Sequence, residues 1–134
     1  GQPLRSLARV ASGGELSRIG LAIQVITSRD SAVPTLIFDE VDVGIGGRVA
    51  EIVGKLLARL GRDRQVLCVT HLPQVAARAA RHFRVSKENR GGKAVSEVTT
   101  LDGDARVTEL ARMLGGVKIT EATRAHAAEM LGNP

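Results

Sequence analysis

The sequence predicts an α/β fold: a mostly parallel sheet flanked by helices, with a β-hairpin and C-terminal helices after it. Two short apolar runs, residues 33–38 and 65–70, have the length of buried strands, and each ends on polar residues. Between them, residues 49–60 carry apolar side chains at helical spacing. Strands that alternate with helices predict parallel pairing, and such sheets place their chemistry at the C-terminal ends of the strands.

Two more helices are expected around these strands. The residues Ser12, Gly13, Gly14 and Glu15 precede a stretch that is apolar on most helical faces, which predicts a deeply buried helix that begins at the glycines. After the second strand, Pro73 opens a short helix rich in alanine.

The helix at residues 49–60 has recognisable ends. A glycine-rich turn at residues 44–47 precedes it, and Gly61 is expected to end it. Glu51 and Lys55 stand four residues apart, so we expect them to pair on its outer face.

The last third of the chain changes its pattern. Alternating apolar residues from 81 to 101 flank a polar, glycine-containing stretch at 89–92 and predict a β-hairpin. Asp104 is expected to cap a following helix, and Thr120 a last helix that runs to Gly132.

Composition is typical of a globular cytoplasmic protein. The 134 residues fit one domain, and 43% of them are hydrophobic against 25% charged. An aromatic content of 1% argues against base-stacking platforms for single strands. The one cysteine, Cys68, lies in an apolar run, can form no internal disulfide and is expected in the core. No apolar stretch approaches the roughly 20 residues needed to span a bilayer.

The charge is compatible with a polyanionic partner. The net charge is +5, from 19 basic and 14 acidic residues. The basic residues are scattered along the chain. A solvated basic surface that also suits a nucleotide is therefore a simpler interpretation than a dedicated DNA-binding face.

An acidic pair follows the first strand. Asp39 and Glu40 come directly after an apolar run, which is a Walker B pattern. A rigid strand tip can hold one carboxylate on hydrated Mg²⁺ while the next aims at an attacking water. Asp39 is therefore the candidate metal residue and Glu40 the candidate general base. Alone the pattern is weak, because an acidic pair at a strand end is common.

Two further motifs accompany it. Ser12, Gly13, Gly14 and Glu15 resemble the signature motif of ABC-type ATPases, in which glycines and free helix N–H groups approach a phosphate. A capped helix start is the structural alternative. His71, directly after the second strand, looks like the histidine that contacts the γ-phosphate in these ATPases, although a lone histidine there is more often a polar cap.

The order of these motifs and their wording resemble the RecN family, the SMC-like ATPases of bacterial DNA double-strand-break repair and recombination. The similarity covers nearly the whole chain and is carried by three stretches, residues 10–18, 37–47 and 69–76. It implies that residues 1–134 are a single partial domain, the C-terminal lobe of an ABC/SMC-type P-loop NTPase head. It also implies ATP and Mg²⁺ as cofactors, DNA as a partner of the full-length protein, and a cytoplasmic, nucleoid-associated location.

One position departs from the wider superfamily. Most SMC and transporter ATPases carry an aspartate six residues after the Walker B glutamate, where this chain has Gly46. That difference favours RecN over other SMC, RecF-like or transporter ATPases. The absence of this aspartate leaves open which residue takes its role between the two heads of a dimer, and Asp42 is a candidate.

The sequence contains no Gly-x-x-x-x-Gly-Lys-[Ser/Thr] phosphate loop. The resemblance places that loop in an N-terminal lobe, beyond a coiled coil that is also absent here. We therefore expect the chain to pair with that lobe and to be inactive alone. The resemblance also implies that two identical heads associate, and that Ser12, Gly13, Gly14 and Glu15 of one head contact the phosphates of the ATP bound to the other. The alternative from another class is a non-catalytic interaction module with an ATPase-like fold.

Overall fold

The computed structural model describes residues 33–39, 42, 44–116 and 118–132. The chain divides into two compact units, Gly1–Leu72 and Pro73–Pro134. The helix predicted after Gly14 lies outside the described residues. The assignment of residues 1–134 to a single partial domain stays a prediction.

Among its described residues, the first unit contains a two-stranded parallel sheet. It consists of β1 (Thr35–Phe38) and β2 (Gln65–Cys68), and its register places Phe38 opposite Cys68. Both strands are shorter than the apolar runs that predicted them, but their parallel pairing confirms the prediction. Because the pairing is parallel, the two C-terminal ends lie at the same edge of the sheet.

Helix α1 (Gly47–Leu60) connects the two strands. It buries Ala50, Val53 and Leu57 and packs against β2. Its end is as predicted: the Gly61 N–H donates to the carbonyl oxygen of Leu57 at 2.9 Å.

The predicted ion pair on α1 is also present. The Nζ atom of Lys55 lies 2.8 Å from Glu51 Oε1, one helical turn away, and both side chains are exposed. Such a pair contributes little to stability because water screens it.

The burial predicted for the two strands is wrong on one face of the sheet. Phe38 is 1% exposed, whereas Ile37 is 67% exposed and Leu67, its partner across the sheet, is 42% exposed. Successive side chains of a strand point to opposite faces, so α1 covers one face and not the other. Cys68, expected in the core, is half-buried.

The second unit begins with the predicted short helix, α2 (Pro73–Ala76), and continues into a β-hairpin. The hairpin consists of β3 (His82–Arg90) and β4 (Lys93–Leu101), paired antiparallel, as predicted. Its two-residue loop is Gly91 and Gly92, with φ angles of 59° and 80°. Two consecutive positive φ values suit a tight hairpin turn and favour glycine.

Two helices complete this unit, α3 (Gly103–Gly115) and α4 (Glu121–Gly132). They pack on each other and α3 contacts α2, around a core of small and aliphatic side chains: Ala76, Ala77, Leu110, Ala111 and Ala127. No helix in the described part of the chain is long and apolar enough to cross a membrane.

One predicted helix cap is confirmed and one is wrong. Thr120 caps α4, because its Oγ1 accepts the Thr123 N–H at 3.2 Å. At α3 the capping position is Asp102, whose carbonyl oxygen accepts the Ala105 N–H at 3.1 Å. Asp104 lies one residue inside the helix, where its carboxylate pairs with Arg124 of α4 instead.

Candidate functional site

Two predicted site residues lie at the C-terminal edge of the parallel sheet. Asp39 directly follows β1, His71 comes three residues after the end of β2, and both are exposed. Because Phe38 lies opposite Cys68, these two chain segments leave the sheet side by side. The fold thus brings Asp39 and His71 to the same edge of the sheet, where parallel sheets commonly place their chemistry.

A buried carboxylate ties the two segments together. Asp42 is 2% exposed, and its Oδ2 accepts the backbone N–H of His71 at 2.8 Å. The same oxygen lies 3.1 Å from His71 Nδ1 and accepts the hydroxyl proton of Thr70. The turn after β1 is therefore bonded directly to the turn after β2.

The hydroxyl of Thr70 has its donor and acceptor roles fixed by this arrangement. Its Oγ1 accepts the Leu72 N–H at 3.0 Å, so its own proton is available to Asp42. On the other side, the carbonyl oxygen of Asp42 accepts the Ile45 N–H at 3.2 Å, which closes a turn. Both segments are thus held by backbone as well as side-chain bonds.

Burial, hydrogen bonds and local charges shift the pKa values of two groups near this edge. Burial alone would raise the pKa of Asp42, but hydrogen bonds from Thr70 and the His71 N–H, with the charge of His71, lower it below its usual value. Burial raises the pKa of the Cys68 thiol to about 11, and the carboxylates of Asp42 and Asp39 add to the effect. Two carboxylates therefore act on the end of β2, an environment that favours a cation.

The residues present fit a lightly held Mg²⁺ better than an enclosed metal. Within the ranges that the structure describes, no group of three His, Cys, Asp or Glu side chains could hold a metal ion. Mg²⁺ commonly keeps most of its water ligands and uses one or two carboxylates together with substrate phosphates. The exposed carboxylate of Asp39 at a rigid strand end suits that mode of binding.

The remaining predicted site residues, Ser12, Gly13, Gly14, Glu15 and Glu40, lie outside the described residues. Their assigned roles stay predictions.

Sequence reasoning missed two contributions to this site. Thr70 was not a candidate, and Asp42 was considered only for a role across a dimer, whereas its carboxylate is buried and bonded within its own chain. The available signal was positional: both residues follow strands that end at the same edge, so polar side chains there can meet.

The chain is similar to known proteins in both sequence and structure. No model of a known protein family matches the chain. The chain is 57% identical over 131 residues to the DNA repair protein RecN of Vibrio cholerae, covering 98% of the chain and 24% of that protein. It is 58% identical to RecN of Haemophilus influenzae and 47% identical to RecN of Bacillus subtilis over the same length. It spans about a quarter of these relatives.

Solved structures show the same relationship for the fold. The chain superposes with a TM-score of 0.67 and 22% identity on a structure from work on the ATP-driven dimerisation and DNA-stimulated activation of SMC ATPases, covering 88% of this chain and 70% of that one. It superposes with a TM-score of 0.64 and 28% identity on the Smc head domain of Pyrococcus yayanosii, covering 75% and 19%. Over nearly its whole length, the chain is therefore similar to RecN proteins from several bacteria, and its fold is that of an SMC ATPase head.

Proposed function

We propose that this chain forms one half of an SMC-like ATPase head that acts in the recombinational repair of DNA double-strand breaks in the bacterial cytoplasm. One observation carries the proposal: Asp39 and His71 follow neighbouring parallel strands at the same sheet edge, in a chain that is 57% identical to a RecN protein over 131 residues. ATP hydrolysis needs a metal-binding carboxylate and a phosphate contact at one place, and that edge supplies candidates for both.

The acidic pair is assigned the metal and base roles. Asp39 would hold hydrated Mg²⁺, and Glu40, the next residue, would take a proton from the attacking water. When bound, the Mg²⁺ neutralises negative charge on the phosphate oxygens. The carboxylates of Asp39 and Asp42 both act on the end of β2, and this local negative charge supports cation binding at this edge.

His71 is assigned the contact to the γ-phosphate. Its imidazole is 69% exposed although its backbone N–H is bonded to a buried carboxylate. A side chain that is anchored at its base and accessible at its tip can meet a ligand without losing its own position.

The glycine-containing motif is assigned to the ATP of a second head. Ser12, Gly13, Gly14 and Glu15 precede a predicted helix, whose N-terminal N–H groups would contact phosphate oxygens. Two heads would thus enclose two ATP molecules, and hydrolysis would release them from each other.

The missing half of the site is a lobe that carries the phosphate loop. The sequence itself contains no phosphate loop. The relatives extend well beyond the matched segment, which makes up 24% of the Vibrio protein. The sheet face of Ile37, Leu67 and Val69 is 67%, 42% and 62% exposed, respectively. An apolar sheet face of this kind suits coverage by further elements of the same head.

The first test measures ATP turnover by the chain alone, by a phosphate-loop lobe from the same family alone, and by their mixture, with and without double-stranded DNA. We expect turnover only in the mixture. A folded complex of the two lobes without turnover would overturn the proposal, and would favour a non-catalytic interaction module.

Substitution of Glu40 sharpens this test. Glu40→Gln removes the base but keeps the size of the side chain, so turnover should fall by about 10²- to 10⁴-fold while ATP-dependent dimers accumulate. Glu129→Gln, on the exposed part of α4, is the matched control and should behave as the unmodified chain. Equal turnover of the two variants would rule out Glu40 as the base.

A further inference from the structure

The geometry points to Asp42 as the positioning residue of this site, which fixes both the backbone and the ring orientation of His71. The inference rests on the proposed ATPase function, because it concerns the histidine assigned to the γ-phosphate. It places Asp42 within its own chain instead of across a dimer.

The first argument is the convergence of donors on one oxygen. Asp42 Oδ2 accepts the His71 N–H at 2.8 Å, faces His71 Nδ1 at 3.1 Å and accepts the hydroxyl of Thr70. A carboxylate is an acceptor only, and charge-assisted bonds of this kind are roughly twice as strong as neutral ones. An amide in its place would be a weaker acceptor and would carry N–H groups among donors.

The second argument is the contrast in burial. The side chain of Asp42 is 2% exposed and that of His71 is 69% exposed. Burying a charge is unfavourable unless hydrogen bonds compensate for the lost water. Removing the Asp42 carboxylate would leave the donors of Thr70 and His71 without their acceptor. The carboxylate is therefore the rigid part of the pair, and the imidazole is the part available to a ligand.

The third argument concerns the two ring nitrogens. With a proton on Nδ1 directed at Asp42, Nε2 is the nitrogen left to meet a phosphate. Because phosphate oxygens accept hydrogen bonds, Nε2 would contact them as a donor in the doubly protonated ring, whereas in the neutral ring it is an acceptor. In other enzymes, asparagine in place of a histidine-bound aspartate selects the wrong tautomer.

The test of this role uses a head assembled from this chain and the phosphate-loop lobe. We expect Asp42→Asn to lower kcat at least about 10- to 100-fold, the range found when a partner that orients a metal-bound histidine is removed. The KM for ATP should change much less than kcat if the loss is in the transition state. Asp63→Asn, an exposed aspartate in the turn after α1, is the matched control and should keep full turnover.

A double-mutant cycle distinguishes positioning from general stability. If Asp42 acts through His71, adding Asp42→Asn to His71→Ala should cause no further loss of turnover. Independent, multiplicative losses would contradict the inference. If Asp42→Asn fails to fold, Thr70→Val and Thr70→Ser replace it as test variants. Turnover should fall about 10-fold in Thr70→Val, which lacks the hydroxyl, and persist in Thr70→Ser, which keeps it. Equal turnover of the two variants would overturn the inference.

Nitrogen-15 NMR of the histidine rings provides a readout that does not depend on turnover. In its neutral form, His71 should carry its proton on Nδ1, and Asp42→Asn should shift that tautomer preference. His71→Gln assigns the signal among the three histidines. An unmodified head without ATP turnover would contradict the proposed function alone, whereas an unchanged tautomer in Asp42→Asn would contradict the positioning role.

Discussion

The backbone N–H of Val69 donates a hydrogen bond of 2.9 Å to the carbonyl oxygen of Phe38. This bond continues the parallel pairing of β1 and β2 one residue beyond the end of β2. Asp39 on one side and Thr70 on the other are the next residues in each chain segment. The placement of the candidate site thus follows from strand register, before any contact between its side chains.

The ion pair within α3 joins a buried carboxylate to a half-exposed guanidinium and should contribute more to stability than the exposed pair of α1. Arg112 Nη2 lies 2.6 Å from Oε1 of Glu109, a residue that is 6% exposed. Arg112→Ala should lower the free energy of unfolding by about 1–3 kcal/mol, because a buried carboxylate loses its donors. Lys55→Ala, which breaks the exposed pair with Glu51, should cost less than about 0.5 kcal/mol.

Urea unfolding followed by circular dichroism measures both variants of the 134-residue chain. Equal losses for Arg112→Ala and Lys55→Ala would show that burial does not distinguish the two pairs.

Stability should decline in mildly acidic solution because of His82. Burial lowers its pKa, Arg106 lowers it further, and Glu109 opposes them. The folded state therefore favours the neutral ring, so stability is complete above the usual histidine pKa of about 6.5 and falls as the pH drops toward the lowered value. Within the described residues, the buried Nδ1 of His82 has no hydrogen-bond partner.

The measurement is the unfolding midpoint in urea between pH 8 and pH 5. His82→Gln should flatten the decline, whereas His126→Gln, on the exposed part of α4, should retain it. An unchanged slope in His82→Gln would assign the decline to other groups.

The hairpin turn should require a residue that tolerates positive φ. Gly92 has a φ of 80°, and apart from its two chain neighbours no residue has a heavy atom within 4 Å of the position that a Cβ would occupy. Gly92→Ala should therefore cost about 1 kcal/mol through backbone conformation alone, and Gly92→Asn less, because asparagine tolerates this region. Gly61→Ala, at a φ of −69°, should be nearly neutral. Thermal unfolding compares the three, and a neutral Gly92→Ala would contradict this account of the turn.

Much of the fold follows from local patterns in the sequence. Apolar runs of strand length separated by a helical period predicted the parallel pair, the two glycines predicted the hairpin loop, and Thr120 predicted the start of α4. These signals act within a few residues, so one sequence contains them. The cap at Asp104 was wrong because Asp102, two residues earlier, is an equally good capping residue and the pattern does not separate them.

The side-chain chemistry of the site was less predictable. Asp42 and Thr70 are 28 residues apart, and their bond depends on the strand register and on the turn after β1. The exposed face at Ile37 and Leu67 was also missed, because a continuous apolar run does not tell which of its faces the same chain covers. Both features depend on tertiary structure.

The central claim is that the edge shared by β1 and β2 is half of an ATPase site. Its most direct test is ATP turnover by the assembled head with Asp39→Asn, titrated with Mg²⁺ and compared with Asp63→Asn. Loss of a metal-binding carboxylate should lower turnover at least about 100-fold, with partial recovery at high Mg²⁺. Turnover in Asp39→Asn equal to that of the control, with the same Mg²⁺ dependence, would contradict the claim.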